Sequence, residues 1–300
     1  MCRRFVPVVS TLLLAACGGG GSGTQAVPIP TSTPAAPDVS GTVVDDASGR
    51  PIAGAAVYVS AATALAGSTP PPPASWPSAT TAADGSFDVK NVAPSAWSVS
   101  FAYAGSGYPT IGNAQWIEVF PTDGHAAFHA LRAIAGAGTT QLGALALALP
   151  SASDAAWLGQ INADRATGGV PPVKTPLAFD SITLQTARYW AQQMLHGNFF
   201  AHACPATATG CEAFSLYEAQ NGSPPSAQNI YEQTANGTWQ AAEAAFMAET
   251  GNCPGANWQT CTFGETTGHY INIMAATNWA GVASAGPYYV ENFSTPSSVP

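Results

Sequence analysis

Near the C-terminus, Thr267-Gly268-His269-Tyr270-Ile271-Asn272-Ile273-Met274 sets a histidine at the opening of an apolar, β-like run. Three upstream residues bring related chemistry: His202 behind one helical pattern, Gln228 in a loop, and Glu249 at the end of a second helical pattern. Imidazoles and carboxylates are the side chains of proton transfer and of metal ligation. Ala242, Ala245, Phe246 and Glu249 fall on one helical stripe, so the carboxylate ends a face that should turn inward. A buried carboxylate is expensive unless paired. The expectation is that His202, Gln228, Glu249 and His269 meet in one cleft.

Composition limits the partners. Of 300 residues only 8% are charged, the formal net charge is -9, and Lys plus Arg total 8. Neutralising phosphates needs a basic face, so nucleic acid is excluded as an expected partner. The length suits about two domains. Arg3 and Arg4 precede an apolar run from Phe5 to Ala16, too short to span a bilayer and matching a signal-peptide core. It ends in Leu14-Ala15-Ala16-Cys17, which resembles a bacterial lipoprotein lipobox. That resemblance implies a signal peptide over 1–16 and lipid on Cys17, hence anchoring to a bacterial membrane outside the cytoplasm. The absence of Asp after the cysteine points to the outer membrane. The alternative is an ordinary secretory signal with Cys17 as a plain thiol.

With Cys2 removed and Cys17 lipidated, Cys204, Cys211, Cys253 and Cys261 remain. An even number in an oxidising compartment suggests disulfides, and the spacing favours Cys204 with Cys211 and Cys253 with Cys261 among three connectivities.

The elements that must position these residues follow in order. Residues 17–37 are the lipid anchor and a charge-free Gly, Ser, Thr, Pro and Ala tether. From Asp38 the pattern turns to short alternating runs with Gly and Asp turns: Gly41-Thr42-Val43-Val44, Ala55-Ala56-Val57-Tyr58-Val59, Ser86-Phe87-Asp88-Val89 and Trp97-Ser98-Val99-Ser100-Phe101, closed by Gln141 to Leu149. This reads as an antiparallel sandwich. Pro70 to Pro73 suit a surface loop. His125 and His129 stand at i, i+4 but, in β-rich surroundings, read as solvated or core histidines. Residues 150–153 form a linker, after which the period becomes helical, with helices expected over 154–165, 180–196 and 238–249. Runs 270–275 and 288–293 read as strands beneath them.

Two resemblances emerge. Gly41-Thr42-Val43, Gly49-Arg50-Pro51-Ile52-Ala53-Gly54-Ala55, Asp84-Gly85-Ser86-Phe87 and Gly107-Tyr108 together resemble a carboxypeptidase regulatory-like domain over 38–149. That implies a spacer or binding module. Over 154–300 the chain resembles the CAP superfamily, which includes cysteine-rich secretory, antigen 5 and plant pathogenesis-related 1 proteins, and its bacterial branch in particular. The resemblance rests on Asn162-Ala163-Asp164-Arg165, Pro176-Leu177-Ala178-Phe179-Asp180, Phe200-Ala201-His202, Ala227-Gln228-Asn229-Ile230, Ala245-Phe246-Met247-Ala248-Glu249, Gly268-His269-Tyr270 and Tyr289-Val290-Glu291-Asn292-Phe293. The fold implied is an all-β sandwich followed by an α-β-α sandwich CAP domain.

The CAP resemblance implies a cleft lined by two histidines and two acidic residues. Here these are His202, His269 and Glu249, with Gln228 where the family carries Glu. Gln keeps a donor and an acceptor but neither carries charge nor takes up a proton. Two imidazoles suit a divalent metal such as zinc on His202 and His269, with Glu249 orienting one ring; the alternative is a hydrogen-bonded polar cluster in which Glu249 only satisfies a histidine N–H. Catalytic zinc takes three protein ligands, so this pair predicts a weak, exchangeable site. Three functions stay open. The leading one is a tethered binding protein for a lipid, another apolar molecule or a protein partner. The others are a metal-assisted, peptidase-like hydrolase with Glu249 as general base, and a structural or host-facing surface protein with a remnant cleft.

Overall fold

A computed structural model describes residues 38–61, 74–95, 102–103, 106–107, 111–122, 127–214, 217–218, 225–233 and 237–294. The signal peptide, Cys17, the tether, Pro70 to Pro73, the Trp97 to Phe101 run and His125 lie outside these residues.

The N-terminal part is two facing sheets. In one, β1 (Val39–Asp45) lies between β4 (Ser86–Val89) and β9 (Thr140–Leu147). In the other the order is β3 (Ser78–Thr80), β2 (Ala56–Val59), β7 (Ala114–Phe120), β8 (Phe128–Ala133). A two-residue pair, β5 (Ala102–Tyr103) with β6 (Ser106–Gly107), completes the set. The sandwich is mixed, because β1 runs antiparallel to β4 and parallel to β9. The alternation seen in the sequence buries Val43, Val57, Val59, Phe87, Val89, Ile117, Val119, Leu145 and Leu147 between the sheets. Each fully buried aliphatic side chain contributes roughly 1.5–3 kcal/mol. Gly85 makes the β4 turn possible: its φ is +76° and a Cβ there would meet the Val43 carbonyl oxygen at 2.5 Å.

The C-terminal part is built on a four-stranded sheet ordered β10 (Ala178–Phe179), β12 (Trp279–Ala285), β13 (Tyr288–Ser294), β11 (Pro225–Glu232). Its two faces carry different apolar sets. Tyr289 and Phe293 of β13 face a core with α1 (Ala152–Thr167), α3 (Trp239–Met247) and α4 (Gly268–Ala275), whereas Tyr288 and Val290 face α2 (Ser181–Gly197). This is the period-two alternation of a strand buried on both sides. Gly281 in β12 lets α2 close on the sheet, since a Cβ there would sit 2.2 Å from the Thr183 carbonyl carbon.

The sequence points to Ser153 or Asp154 as the cap of the first helix, and the structure places the cap at Ser151. Ser151, expected in the linker, forms a capping box with Asp154 at the start of α1. Asp180 caps α2, which ends at Asn198 in the left-handed region, and Thr238 caps α3. One expectation is corrected: residues 270–275 are helical, within α4. Tyr270, Ile273 and Met274 are buried at i, i+3, i+4, so the run packs as one helical face. A short apolar run carries too little periodicity to separate strand from helix.

Helix α2 joins the two parts. Its Ile182 belongs to the sandwich core and its Leu184 to the core around α1. Gln185 donates to the Ala146 carbonyl at 2.7 Å, and Ala148 N–H donates to Ser181 Oγ at 2.6 Å. His129 is a core histidine: it is 1% exposed, lies 2.7 Å from Asp180 and stacks on Trp279. Both disulfides form, Cys204 with Cys211 and Cys253 with Cys261.

Candidate functional site

His202, Gln228, Glu249 and His269 line one cleft of about 770 Å³, together with Phe214, Ala227, Phe263, Glu265 and Asn272. Each comes from a different element. His202 follows the end of α2, Glu249 sits just beyond α3, and His269 is in the first turn of α4, whereas Gln228, expected in a loop, lies within β11 paired with Asn292 of β13.

Helix α4 is held at both ends. At its C-terminus the buried Arg165 of α1 donates to the carbonyls of Ile273 and Met274, and also to Thr175. A cation there complements the helix dipole and the unpaired carbonyls. Burial pushes the Arg165 guanidinium down from 12.5 to about 10. At the N-terminus Glu249 accepts the His269 backbone N–H at 3.2 Å and bonds His269 Nδ1 at 2.8 Å. Both carboxylate oxygens are thereby engaged by one residue, so a neutral His269 ring holds its proton on Nδ1 and keeps Nε2 as the acceptor. The ring is also packed edge-on against Phe246, with centroids 4.7 Å apart.

His202 is held through Gln228. Its Nδ1 lies 3.0 Å from Gln228 Oε1, while Gln228 Nε2 donates to Asn292 Oδ1 at 3.0 Å. Partial burial lowers the His202 pKa below 6.5; the bond to Gln228 opposes that and neighbouring His269 adds to it. The ring is therefore neutral at pH 7, with Nε2 again the free acceptor.

Behind the cleft lies polar structure that pattern reading did not find. Asn229 donates to the His269 carbonyl and, at 2.8 Å, to Glu291. Trp157 Nε1 donates to both Glu291 and Glu243. Burial, and for Glu243 the charge of Glu291 beside it, pushes both buried carboxyls above the usual carboxylate range, which favours a proton held on the pair. Glu218, fully buried beside Thr186 and Ser294, is likewise pushed well up by burial. Their charge at inward positions was a signal in the sequence; their partners, up to 134 residues away, were not legible.

Bonds of about 2.0–2.1 Å to a tetrahedral zinc ion bring two imidazole centroids to about 5 Å, whereas those of His202 and His269 are 6.3 Å apart. Among the described residues no three His, Cys, Asp or Glu side chains gather as ligands. The pair as built does not fit a catalytic zinc site.

Residues 38–114 match the carboxypeptidase regulatory-like domain family. That match covers the sandwich strands β1 to β6 and ends at the first residue of β7. No curated protein matches the chain. Among solved structures, an extracellular protein containing an SCP domain from Bacillus anthracis str. Ames is 13% identical, with 73% of this chain and 81% of that one covered and a TM-score of 0.31. A 9R-lipoxygenase from Cyanothece PCC8801 is 11% identical over 42% of this chain, at a TM-score of 0.20. The chain covers only 18% of that lipoxygenase. Among the described residues no helix is long and apolar enough to cross a membrane.

Proposed function

We propose that the protein is a lipid-tethered, extracytoplasmic binding protein of the outer membrane. In this reading the signal peptide ends at Ala16 and Cys17 carries the lipid. A carboxypeptidase regulatory-like sandwich over 38–149 then presents a CAP domain of α-β-α architecture over 154–300. The cleft takes an amphipathic molecule whose head donates hydrogen bonds.

One observation carries this: two imidazoles, each fixed through Nδ1, leave two Nε2 acceptors in one cleft. Around them Phe214 and Phe263 supply apolar wall, and Glu249 and Glu265 supply negative charge. Among the described residues no Lys or Arg lines the cleft. An ammonium head can donate to both rings and gains from the carboxylates, so alkylammonium ligands should exceed alcohols, and alcohols should exceed carboxylates. Phe263, 69% exposed, offers an apolar surface for the chain.

The test is mass spectrometry of amphiphiles that co-purify with the protein from native membranes. Wild type should retain a defined class, and the double variant His202→Ala, His269→Ala should release it. No retained class, or equal retention by the variant, would end this reading. Stoichiometric zinc, together with a hydrolysis lost in His269→Ala, would favour the metal-assisted hydrolase instead.

A further inference from the structure

A line of buried polar side chains runs from the cleft along the face of the sheet that packs on α2. His202 Nδ1 meets Gln228 Oε1, Gln228 Nε2 donates to Asn292 Oδ1, and Asn292 Nδ2 donates to Thr186 Oγ1 at 3.1 Å. Gln228, Asn292 and Thr186 are 6%, 0% and 1% exposed. Asn292 points to this face because it alternates along β13 with Glu291, which faces α1 and α3.

The polarity of the line is decided at Thr186. Its hydroxyl has one proton, and three acceptors lie within reach: the Ile182 and Thr183 carbonyls at 2.9 Å and Glu218 Oε1 at 2.7 Å. Where Glu218 is protonated it donates to Thr186, and the hydroxyl still has both carbonyls to serve. In either case the oxygen faces Asn292 as an acceptor. Asn292 must then present its NH2 to Thr186 and its carbonyl to Gln228. Gln228 in turn must present its NH2 to Asn292 and its carbonyl to His202. Only an Nδ1–H imidazole completes the series.

We infer that Thr186 and Asn292 are positioning residues that fix His202 as the Nδ1–H tautomer through Gln228, holding its Nε2 as an acceptor in the cleft. A side-chain amide can present either face, so a Gln at 228 needs this outside reference where a carboxylate would need none. The inference concerns the same cleft as the proposed function, but it is tested without ligand, so either can fail alone.

The experiment records long-range imidazole 15N spectra of the described chain, with its signal and tether removed and its disulfides intact, at pH 7.5. Wild type should show a protonated-type signal at His202 Nδ1 and an unprotonated-type signal at Nε2. Thr186→Val removes the acceptor at nearly constant volume. It should shift the His202 tautomer ratio about tenfold toward Nε2–H, the scale of one hydrogen bond. Thr186→Ser, which keeps the hydroxyl, should restore the wild-type ratio. His269, fixed independently by Glu249, should not change in any variant. An Nε2–H tautomer in wild type, which needs no variant to detect, would overturn the inference. So would a Thr186→Val spectrum with His202 unchanged.

Discussion

Replacing Arg165 by Met tests how the cleft is built. The guanidinium is 1% exposed and donates to three carbonyls, two of them in the last turn of α4. Each carbonyl left unsatisfied costs about 1–3 kcal/mol, or roughly 3–9 kcal/mol for three. Against this stands the burial of the charge: a fall from 12.5 to about 10 corresponds to about 3 kcal/mol of relieved penalty. The difference spans roughly 0–6 kcal/mol and centres on a loss of about 3 kcal/mol for Arg165→Met, read as a lower midpoint in urea unfolding at unchanged slope. Arg165→Lys should fall between, because one ammonium cannot reach all three carbonyls. In the folded Met variant, amide exchange should rise first over α4, which carries His269. A loss below about 0.5 kcal/mol, the range of ordinary surface substitutions, would refute the view that Arg165 anchors α4. So would exchange spread evenly over the fold.

Three further outcomes follow from buried charge. Glu243 and Glu291 keep a proton on folding that the unfolded chain gives up above its usual range near 4.5. Their contribution is thus largest at acid pH and falls as pH rises, at about 1 kcal/mol per unit for one proton. Glu243→Gln should flatten stability between pH 5 and 8 by that slope, and an unchanged slope in urea unfolding would show that no proton is shared. His202 acts in the opposite sense: its lowered pKa means the unfolded chain protonates first below 6.5, so this ring weakens the fold as pH falls. Gln228→Glu should raise the His202 pKa in an NMR titration, since a carboxylate favours the imidazolium. It should also cost roughly 1–3 kcal/mol, because it cannot donate to Asn292; an unmoved pKa would contradict the contact. His129→Ala removes the imidazole 2.7 Å from the buried Asp180 carboxylate and should cost roughly 1–3 kcal/mol in urea unfolding. A neutral result would deny that the pair fastens the sandwich to α2.

What the sequence revealed depended on range. Helices α1, α2 and α3 were legible to within about three residues, because their caps and apolar stripes are local: Ser151 with Asp154, Asp180 with Thr183, Thr238 with Ala241. The disulfides were legible for the same reason, each closing a short loop. The α4 run was not, since Ile271 and Ile273 suit a strand as well as a helix until Arg165 and Glu249 arrive to hold its ends. The parallel pairing of β1 with β9 joins residues about a hundred apart and left no local mark. The cleft residues themselves could be named, but not what holds them. Asn292, Thr186 and Glu218 read as ordinary strand and helix residues until the sheet brings them behind Gln228.

The central claim is that His202 and His269 act together as acceptors for the head of an amphipathic ligand. The most direct measurement follows both imidazole Nε2 signals while octylamine, octanol and octanoate are added in turn. The account predicts that octylamine shifts both Nε2 signals together, with octanol weaker and octanoate weakest. Affinity should rise along the alkylamine series by up to about 0.8 kcal/mol per buried CH2. Octanoate binding as tightly as octylamine, or shifts at one ring alone, would contradict it.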